Sequence, residues 1–260
     1  MPPKTLKMPE EERRFTQGTI IATASAEAIG FDDLIDQLSH AAVVFVGERH
    51  TSREDHEIQL RILTALVDRG ARVKVGMEMF DHTYQPVLDQ WSAGQLDTQR
   101  FLELTHWYAN WRYDYDLYRP ILDYVQQKRL PLVGLNLPFN LPPKIAIGGL
   151  DSLRPAERAL IAADIDTGDA EHRAYLRRIF DQHHLKGRDN FEYFYMAQCA
   201  WEDTMAAQIA AHLDDGDLMV VIIGNGHIQK RYAGGEADRS DADFIWVTAP
   251  LPSHHMPKMK

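Results

Sequence analysis

The sequence predicts an α/β fold in which a mostly parallel β-sheet is flanked by helices and carries a smaller, all-helical insertion. Three observations lead to this prediction. Short apolar runs of strand length recur along the chain, helical patterns lie between them, and one long stretch has no convincing strand. Strands that alternate with helices form βαβ units, whose parallel strands are buried on both faces and therefore lack polar alternation.

The predicted strands are continuous runs rich in β-branched and aromatic residues, which favour extended structure. They are residues 18–24, 43–46, 73–77, 132–135, 218–223 and 244–247.

The helical patterns between these runs repeat with the 3.6-residue period of an amphipathic helix. The clearest covers residues 54–67, with Thr51 or Ser52 as the N-cap and Gly70 after the end. A short helix is predicted at residues 31–38 and a long one at residues 193–213.

The 260 residues, 45% of them hydrophobic, are typical of one domain with a substantial core. We expect the α/β core to comprise roughly residues 18–140 and 191–250. Residues 144–190 are predicted to form the helical insertion subdomain, after a proline-containing loop at residues 137–143.

Composition excludes several classes of function. The formal net charge of −10 argues against sequence-independent nucleic-acid binding, which needs a basic surface. No apolar run reaches the length of a membrane span, so we expect no transmembrane segment. The single cysteine, Cys199, cannot form an intramolecular disulfide. The N-terminus shows no apolar stretch of a secretory signal, which favours the cytoplasm but leaves the localisation open.

Polar side chains follow four of the predicted strands. Glu48 and His50 follow the first long strand, Glu78 follows the second, and His227 follows the strand at residues 218–223. Asn136 follows the strand between them. In open α/β sheets ligands bind beyond the carboxyl ends of the strands, so we expect these side chains to form a site there.

Two chemistries suit this set. His50, Glu78 and His227 could hold a divalent metal such as zinc or manganese through imidazole nitrogens and a carboxylate. Without a metal, the same groups supply a general base and an orienting carboxylate. His50 and His227 each end a Gly-x-x-His turn, at residues 47–50 and 224–227. The simpler alternative is that each of these turns caps a helix and that Glu48 pairs with Arg49 or Arg53.

These residues lie in stretches that resemble the ChaN-like haem-binding uptake family of the Tiki superfamily. The stretches span most of residues 18–230 and comprise 43–50 (VVFVGERH), 56–63, 76–80 (GMEMF), Trp111 with 118–120, 130–138 (LPLVGLNLP), 198–206 (QCAWEDTMA) and 220–228 (VVIIGNGHI).

The resemblance implies haem binding through a tyrosinate ligand, with homodimerisation linked to haem. It also implies that Glu48, His50, Glu78 and His227 match the site residues of metal-dependent peptidases and erythromycin-esterase-like hydrolases in the wider superfamily. Family members are often exported lipoproteins, whereas this chain shows no signal or lipobox cysteine. The sequence after His227 also departs from the family pattern.

The haem prediction places candidate residues in and near the helical insertion. Residues 171–188 carry a local charge of +3 beside apolar surface, which suits haem propionates. The candidate ligands and contacts are Tyr175, His183, His184, Tyr193, Tyr195 and Arg177. Tyr193 and Tyr195 flank the insertion, where they could either face a dimer partner or pack in the core. The alternative is an amphipathic surface helix that packs on the main domain.

A second aromatic stretch also qualifies for stacking on a porphyrin. It contains Trp107, Tyr108, Trp111, Tyr113, Tyr115 and Tyr118. The spacing of Trp111, Tyr115 and Tyr118 fits one face of a helix, which favours a role in packing instead.

Overall fold

The structure is a computed structural model that describes residues 19–22, 27–182 and 189–228, together with the backbone of residues 244–247. The strands are β1 (Ile20–Ala22), β2 (Glu27–Ile29), β3 (Val43–Glu48), β4 (Arg72–Asp81), β5 (Leu132–Asn136), β6 (Asp217–Gly224) and β7 (Phe244–Val247). The α-helices are α1 (Phe31–Leu38), α2 (Arg53–Asp68), α3 (Gln85–Ser92), α4 (Thr98–Thr105), α5 (Trp107–Asn110), α6 (Tyr115–Lys128), α7 (Leu141–Gly148), α8 (Pro155–Arg158), α9 (Ala170–Gln182) and α10 (Phe191–His212).

The main sheet has five strands in the order β5-β4-β6-β3-β7, and every described pairing in it is parallel. The predicted α/β fold is therefore confirmed. Strands β1 and β2 form a separate antiparallel pair. In the main sheet Glu48, the last residue of β3, lies opposite Gly224, the last residue of β6. This register aligns the carboxyl ends of the two strands.

Helices cover both faces of the sheet, which explains the continuous apolar runs of the strands. Along β3, Val44 and Val46 pack into a cluster with helices α1, α2, α3 and α6. The alternating residues Val43 and Phe45 pack on the other face against Met205 and Ile209 of α10. Each strand thus contributes side chains to two hydrophobic layers.

Between β5 and β6, all the regular secondary structure of the described residues is helical. Helix α7 packs on α10 through a small cluster that includes Leu141, Ile145 and Ala197. Helix α9 packs on the first turns of α10 through Leu176, Phe191 and Tyr195 among others. The division of this segment into a subdomain at residues 144–190 stays a prediction.

The predicted loop at residues 137–143 is wrong in its second half, because α7 begins at Leu141. Pro142 and Pro143 lie in the first turn of this helix, where the backbone N–H that proline lacks has no intrahelical acceptor. Prolines at this position begin a helix instead of preventing one.

The helix ends follow local capping. Ser52 caps α2 by accepting a hydrogen bond from the Asp55 backbone N–H, which decides between the two predicted caps. Asn190 caps α10 in the same way, so this helix begins at Phe191, two residues before the predicted start. In the described part of the chain, no helix is both long and apolar enough to cross a bilayer.

Candidate functional site

The four strand-end side chains meet at the carboxyl edge of the sheet. Glu48 is the last residue of β3, and Glu78 lies near the carboxyl end of β4. Strand β6, which lies between these two strands in the sheet, ends at Gly224. His50 lies two residues beyond β3, and His227 ends a 3₁₀ turn directly after β6. The structure thus places side chains from three adjacent parallel strands within reach of one another.

Glu48 is buried and fully engaged. Its Oε1 accepts hydrogen bonds from His50 Nδ1 at 2.8 Å and from the Tyr118 hydroxyl at 2.5 Å. Its Oε2 accepts a hydrogen bond from Gln59 Nε2 at 3.0 Å and lies 3.3 Å from His56 Nε2. The His56 contact is an ion-pair distance without the angle of a hydrogen bond.

This environment keeps Glu48 ionised. Burial alone would raise the pKa of the carboxyl, but the contacts with His50, His56 and Tyr118 outweigh it and lower the pKa to about 2. An ionised carboxylate only accepts hydrogen bonds, so His50 Nδ1 carries a proton. In the neutral imidazole, His50 Nε2 is then left with the lone pair of a base. The Tyr118 hydroxyl has a raised pKa because it is buried next to this carboxylate.

Glu78 and His227 form a second carboxylate–imidazole pair. Glu78 Oε2 accepts a hydrogen bond from the Gly224 backbone N–H at 2.7 Å, and Oε1 lies 3.4 Å from His227 Nε2. On the other side of the ring, His227 Nδ1 lies 3.3 Å from Glu202 Oε1. Glu202 Oε2 lies 3.4 Å from His172 Nε2, which extends the chain of contacts to helix α9.

Two carboxylates hold His227 in its protonated form. Burial alone would lower the pKa of the ring, but Glu78 and Glu202 raise it to about 10. Burial would likewise raise the pKa of Glu78, but His227, His50 and the Gly224 N–H lower it overall. The site therefore combines a cation, the His227 ring, with the His50 ring, whose Nδ1 is hydrogen-bonded to Glu48.

Gly224 allows these groups to approach. A Cβ at this position would lie 2.7 Å from His50 Cε1, 3.0 Å from His50 Nε2 and 3.4 Å from Glu78 Oε2. His50 and Glu78 therefore pack against the same point of the β6 backbone. The glycine at the start of this Gly-x-x-His turn is therefore needed for the close approach of these side chains to the backbone.

The sequence analysis assigned no role in this site to several residues that complete the network. They are His56 and Gln59 on α2, Tyr118 on α6, His172 on α9 and Glu202 on α10. A signal for two of them exists in the sequence. Both His56 and Gln59 lie on the face of α2 that also carries Ile62, Leu63 and Leu66, all buried. Polar residues on a buried face need partners in the interior.

The metal alternative is not supported by this geometry. In the residues that the structure describes, no group of three or more His, Cys, Asp and Glu side chains is arranged to hold a metal ion. His50, Glu78 and His227, the predicted zinc or manganese ligands, instead make contacts with carboxylates and a backbone N–H. These contacts use His50 Nδ1, both oxygens of Glu78 and both ring nitrogens of His227, whereas His50 Nε2 lies outside them.

Aromatic rings surround His50, whose side chain is 27% exposed. Its ring contacts Trp111 edge-on at a centroid distance of 4.8 Å and Tyr113 at 4.9 Å. Trp111 precedes α6, so the single helix face predicted for Trp111, Tyr115 and Tyr118 is wrong. All three are buried, and packing is their common role.

The predicted haem residues fall into different environments. Tyr195 is buried and its hydroxyl donates to the Asp169 carbonyl, so it packs in the core and does not face a dimer partner. Burial also raises its pKa, which opposes a tyrosinate. Tyr175 and Tyr193 are half-buried. His183 and His184 lie outside the described residues.

The arginines of α9 are engaged with neighbours. Arg177 Nε lies 3.1 Å from Asp181, and its guanidinium lies 4.7 Å from the centre of the Phe191 ring. Arg173 pairs with Glu192 and lies over Phe191 and Tyr195. Helix α9 has a charged outer face, as the haem prediction requires, and an apolar stripe packed on α10, as the alternative of an amphipathic surface helix requires.

The family whose profile is described as "Haem-binding uptake, Tiki superfamily, ChaN" matches residues 34–234, most of the chain. The protein belongs to this family. The match includes every strand-end residue described above. No curated protein sequence matches the chain.

Solved structures show the same fold. ChaN of Campylobacter jejuni, in a structure with cofacial haem binding, superposes with a TM-score of 0.71 at 19% identity, covering 91% of this chain and 92% of that one. A mutant of the erythromycin esterase EreC in its open conformation superposes with a TM-score of 0.50 at 16% identity, covering 84% and 72% of the two chains. At these identities the likeness concerns the fold.

Proposed function

We propose that this protein binds haem and acts in the uptake or handling of haem iron. The observation that carries the proposal is the match to the haem-binding ChaN family over residues 34–234. It is supported by the similarity to ChaN of Campylobacter jejuni, which extends over nearly the whole of both chains.

Among the predicted ligands, Tyr193 fits best. An axial tyrosinate needs a hydroxyl that is accessible and not already bonded. Tyr193 is half-buried, and its ring packs against Gly149, where a Cβ would lie 2.9 Å from Cε1. Tyr175 is the second choice because burial raises the pKa of its hydroxyl. Arg177, exposed on α9, is the proposed partner of a propionate.

Titration with hemin tests this proposal. The wild-type protein should give a saturable Soret shift with the charge-transfer bands of high-spin tyrosinate haem. Tyr193→Phe should remove those bands and weaken binding, whereas Tyr195→Phe, two residues away with a buried and bonded hydroxyl, should keep them. A wild-type protein without a saturable Soret shift would contradict haem binding itself.

We also propose that haem links two copies of the chain into a homodimer. Sedimentation velocity with and without hemin tests this separately, since the haem-loaded protein should have twice the mass of the free protein. A haem-loaded monomer would refute the dimer while leaving haem binding intact.

A second candidate function is base-catalysed hydrolysis of an ester or amide at His50. The specific observation is the Glu48–His50 pair. The ionised carboxylate of Glu48 accepts a hydrogen bond from His50 Nδ1–H, so the opposite ring nitrogen, Nε2, is the one that would accept a proton from water. The protonated ring of His227 would supply positive charge for a developing oxyanion.

Nitrophenyl esters are suitable probes of this activity. The expected result is hydrolysis that is lost in His50→Ala and reduced in Glu48→Gln, while His40→Ala, in the loop before β3, matches the wild type. Hydrolysis equal in all four proteins would exclude His50 as the base.

A further inference from the structure

A small slot lies between α7 and α10, separate from the network of carboxylates and imidazoles. It encloses about 150 Å³. The lining side chains are Phe139, Pro142, Pro143, Ala146, Phe194, Ala197, Gln198 and Trp201. The slot is bounded mainly by apolar side chains and has no charged group on its walls.

The size of the slot limits what it can hold. An apolar cavity of this volume admits a molecule the size of benzene, whereas pockets for drug-sized ligands are several times larger. The absence of a charged lining residue disfavours a charged ligand, which would lose its hydration without compensation. The slot therefore suits a phenyl-sized or branched aliphatic group that is neutral.

Gln198 supplies a polar contact in this apolar lining. Within the part of the chain that the structure describes, its side-chain amide makes no hydrogen bond. A primary amide presents both donors and an acceptor, so it complements a carbonyl or an amide on the ligand.

Two lining residues connect the slot to the strand-end site. The Trp201 ring lies 5.2 Å from the His227 ring, centroid to centroid. The Phe139 ring lies 6.3 Å from Trp111, which in turn lies 4.8 Å from His50. One aromatic ring, Trp201, therefore lies between the slot and His227, and two rings, Phe139 and Trp111, lie between the slot and His50.

From these observations we propose that the slot binds a small neutral carbonyl compound. Its phenyl-sized or branched apolar part lies among Phe139, Ala146 and Ala197, and its carbonyl or amide pairs with Gln198. This inference goes beyond haem binding and does not depend on it.

Binding of 4-fluorobenzamide to the haem-free protein, followed by ¹⁹F NMR, tests the proposal. Fluorobenzene, which lacks the amide, is the matched probe. The amide should bind the wild type about fivefold more tightly, the effect of one neutral hydrogen bond. Gln198→Leu should abolish this preference with little change in fluorobenzene binding. Gln208→Leu, on the same helix but outside the slot, should preserve it.

Filling the slot gives an independent test. Ala197→Leu places a larger side chain in the lining and should reduce the binding of both probes at least tenfold. Its fold is verified by circular dichroism and by its thermal unfolding transition. The proposal is overturned if neither probe binds the wild type saturably, or if the amide preference survives in Gln198→Leu.

Discussion

Individual side chains in this protein show how burial and charge decide a protonation state together. Glu48 and Glu78 are almost completely inaccessible, yet each has a lowered pKa, because imidazoles and hydrogen-bond donors outweigh the cost of burial. His227 is the counterpart, an imidazole that is only 13% exposed and has a raised pKa. Removing one partner of such a group leaves the other charge without compensation, which is costly in the interior.

Tyr118→Phe should destabilise the protein. The change removes the 2.5 Å hydrogen bond to Glu48 Oε1, and a bond to a charged group contributes about 1.5–3 kcal/mol. Urea unfolding measures the free energy of unfolding. Tyr115→Phe on the same helix is the control, because its buried hydroxyl has no hydrogen-bond partner of good geometry among the described residues. Equal losses in the two variants would show that the Glu48 bond contributes nothing.

The raised pKa of His227 predicts a loss of stability at alkaline pH. The pKa rises from its usual 6.5 to about 10 on folding, so the folded state binds the proton more tightly than the unfolded state. This contribution is fully present below about pH 6.5 and is lost as the pH rises through about 10. Urea unfolding across this range should show a falling free energy of unfolding.

Glu202→Gln should shift that loss to lower pH, because one of the two carboxylates facing His227 is removed. The His227 Cε1 proton, followed by NMR, reports its pKa directly. Glu192→Gln is the control, since it removes a carboxylate from the same helix that pairs with Arg173 at the surface. An unchanged His227 pKa in Glu202→Gln would refute the role of Glu202.

At the scale of the element, the turn after β6 shows why the Gly-x-x-His pattern has its spacing. Gly224 ends the strand where the His50 ring approaches the backbone, and three residues later His227 turns back toward Glu78. Gly226 lies in the same turn, but a Cβ there would meet nothing within 4 Å. The two glycines therefore have different roles.

Gly224→Ala should displace the His50 ring and cost about 1–3 kcal/mol, as overpacking of a buried site does. Gly226→Ala should change stability by less than about 0.5 kcal/mol, because the new methyl group enters open space. Thermal unfolding of both variants checks this pair. A larger loss of thermal stability in Gly226→Ala than in Gly224→Ala would show that packing against His50 is not the reason for glycine at position 224.

On the scale of the whole molecule, α10 unites the sheet and the helical segment. Its first half packs in the clusters with α7 and α9, and its second half, through Met205 and Ile209, packs on the sheet. Glu202, in the middle of the helix, joins His172 of α9 to His227 after β6. Helix α10 therefore contributes side chains to the cluster on its own face of the sheet and to the clusters with α7 and α9. The cluster on the opposite face of the sheet is formed with α1, α2, α3 and α6.

This continuity predicts that the helical segment and the sheet unfold together. Urea unfolding followed by far-ultraviolet circular dichroism and by tryptophan fluorescence should give coincident transitions. Two separated transitions would instead show that residues 144–190 form an independently stable unit.

Much of the fold was predictable because its signals are local. Continuous apolar runs such as residues 43–46 indicate strands buried on both faces, and Ser52 before acidic residues indicates the start of a helix. The topology rule for parallel sheets was then enough to predict that Glu48, His50, Glu78 and His227 lie at one edge. The error at α7 arose because prolines in a first turn resemble prolines in a loop.

The sequence alone determined the α/β class, the family resemblance and the strand-end residues. Only the tertiary structure decided their partners: Tyr118 lies 70 residues from Glu48, and Glu202 lies 25 residues from His227. It also decided that Tyr195 is buried while Tyr193, two residues earlier, is half-exposed. The physical reason is that burial and hydrogen bonding depend on which helices and strands pack together. Local preference and the apolar pattern determine the elements, whereas long-range packing determines each side chain's surroundings.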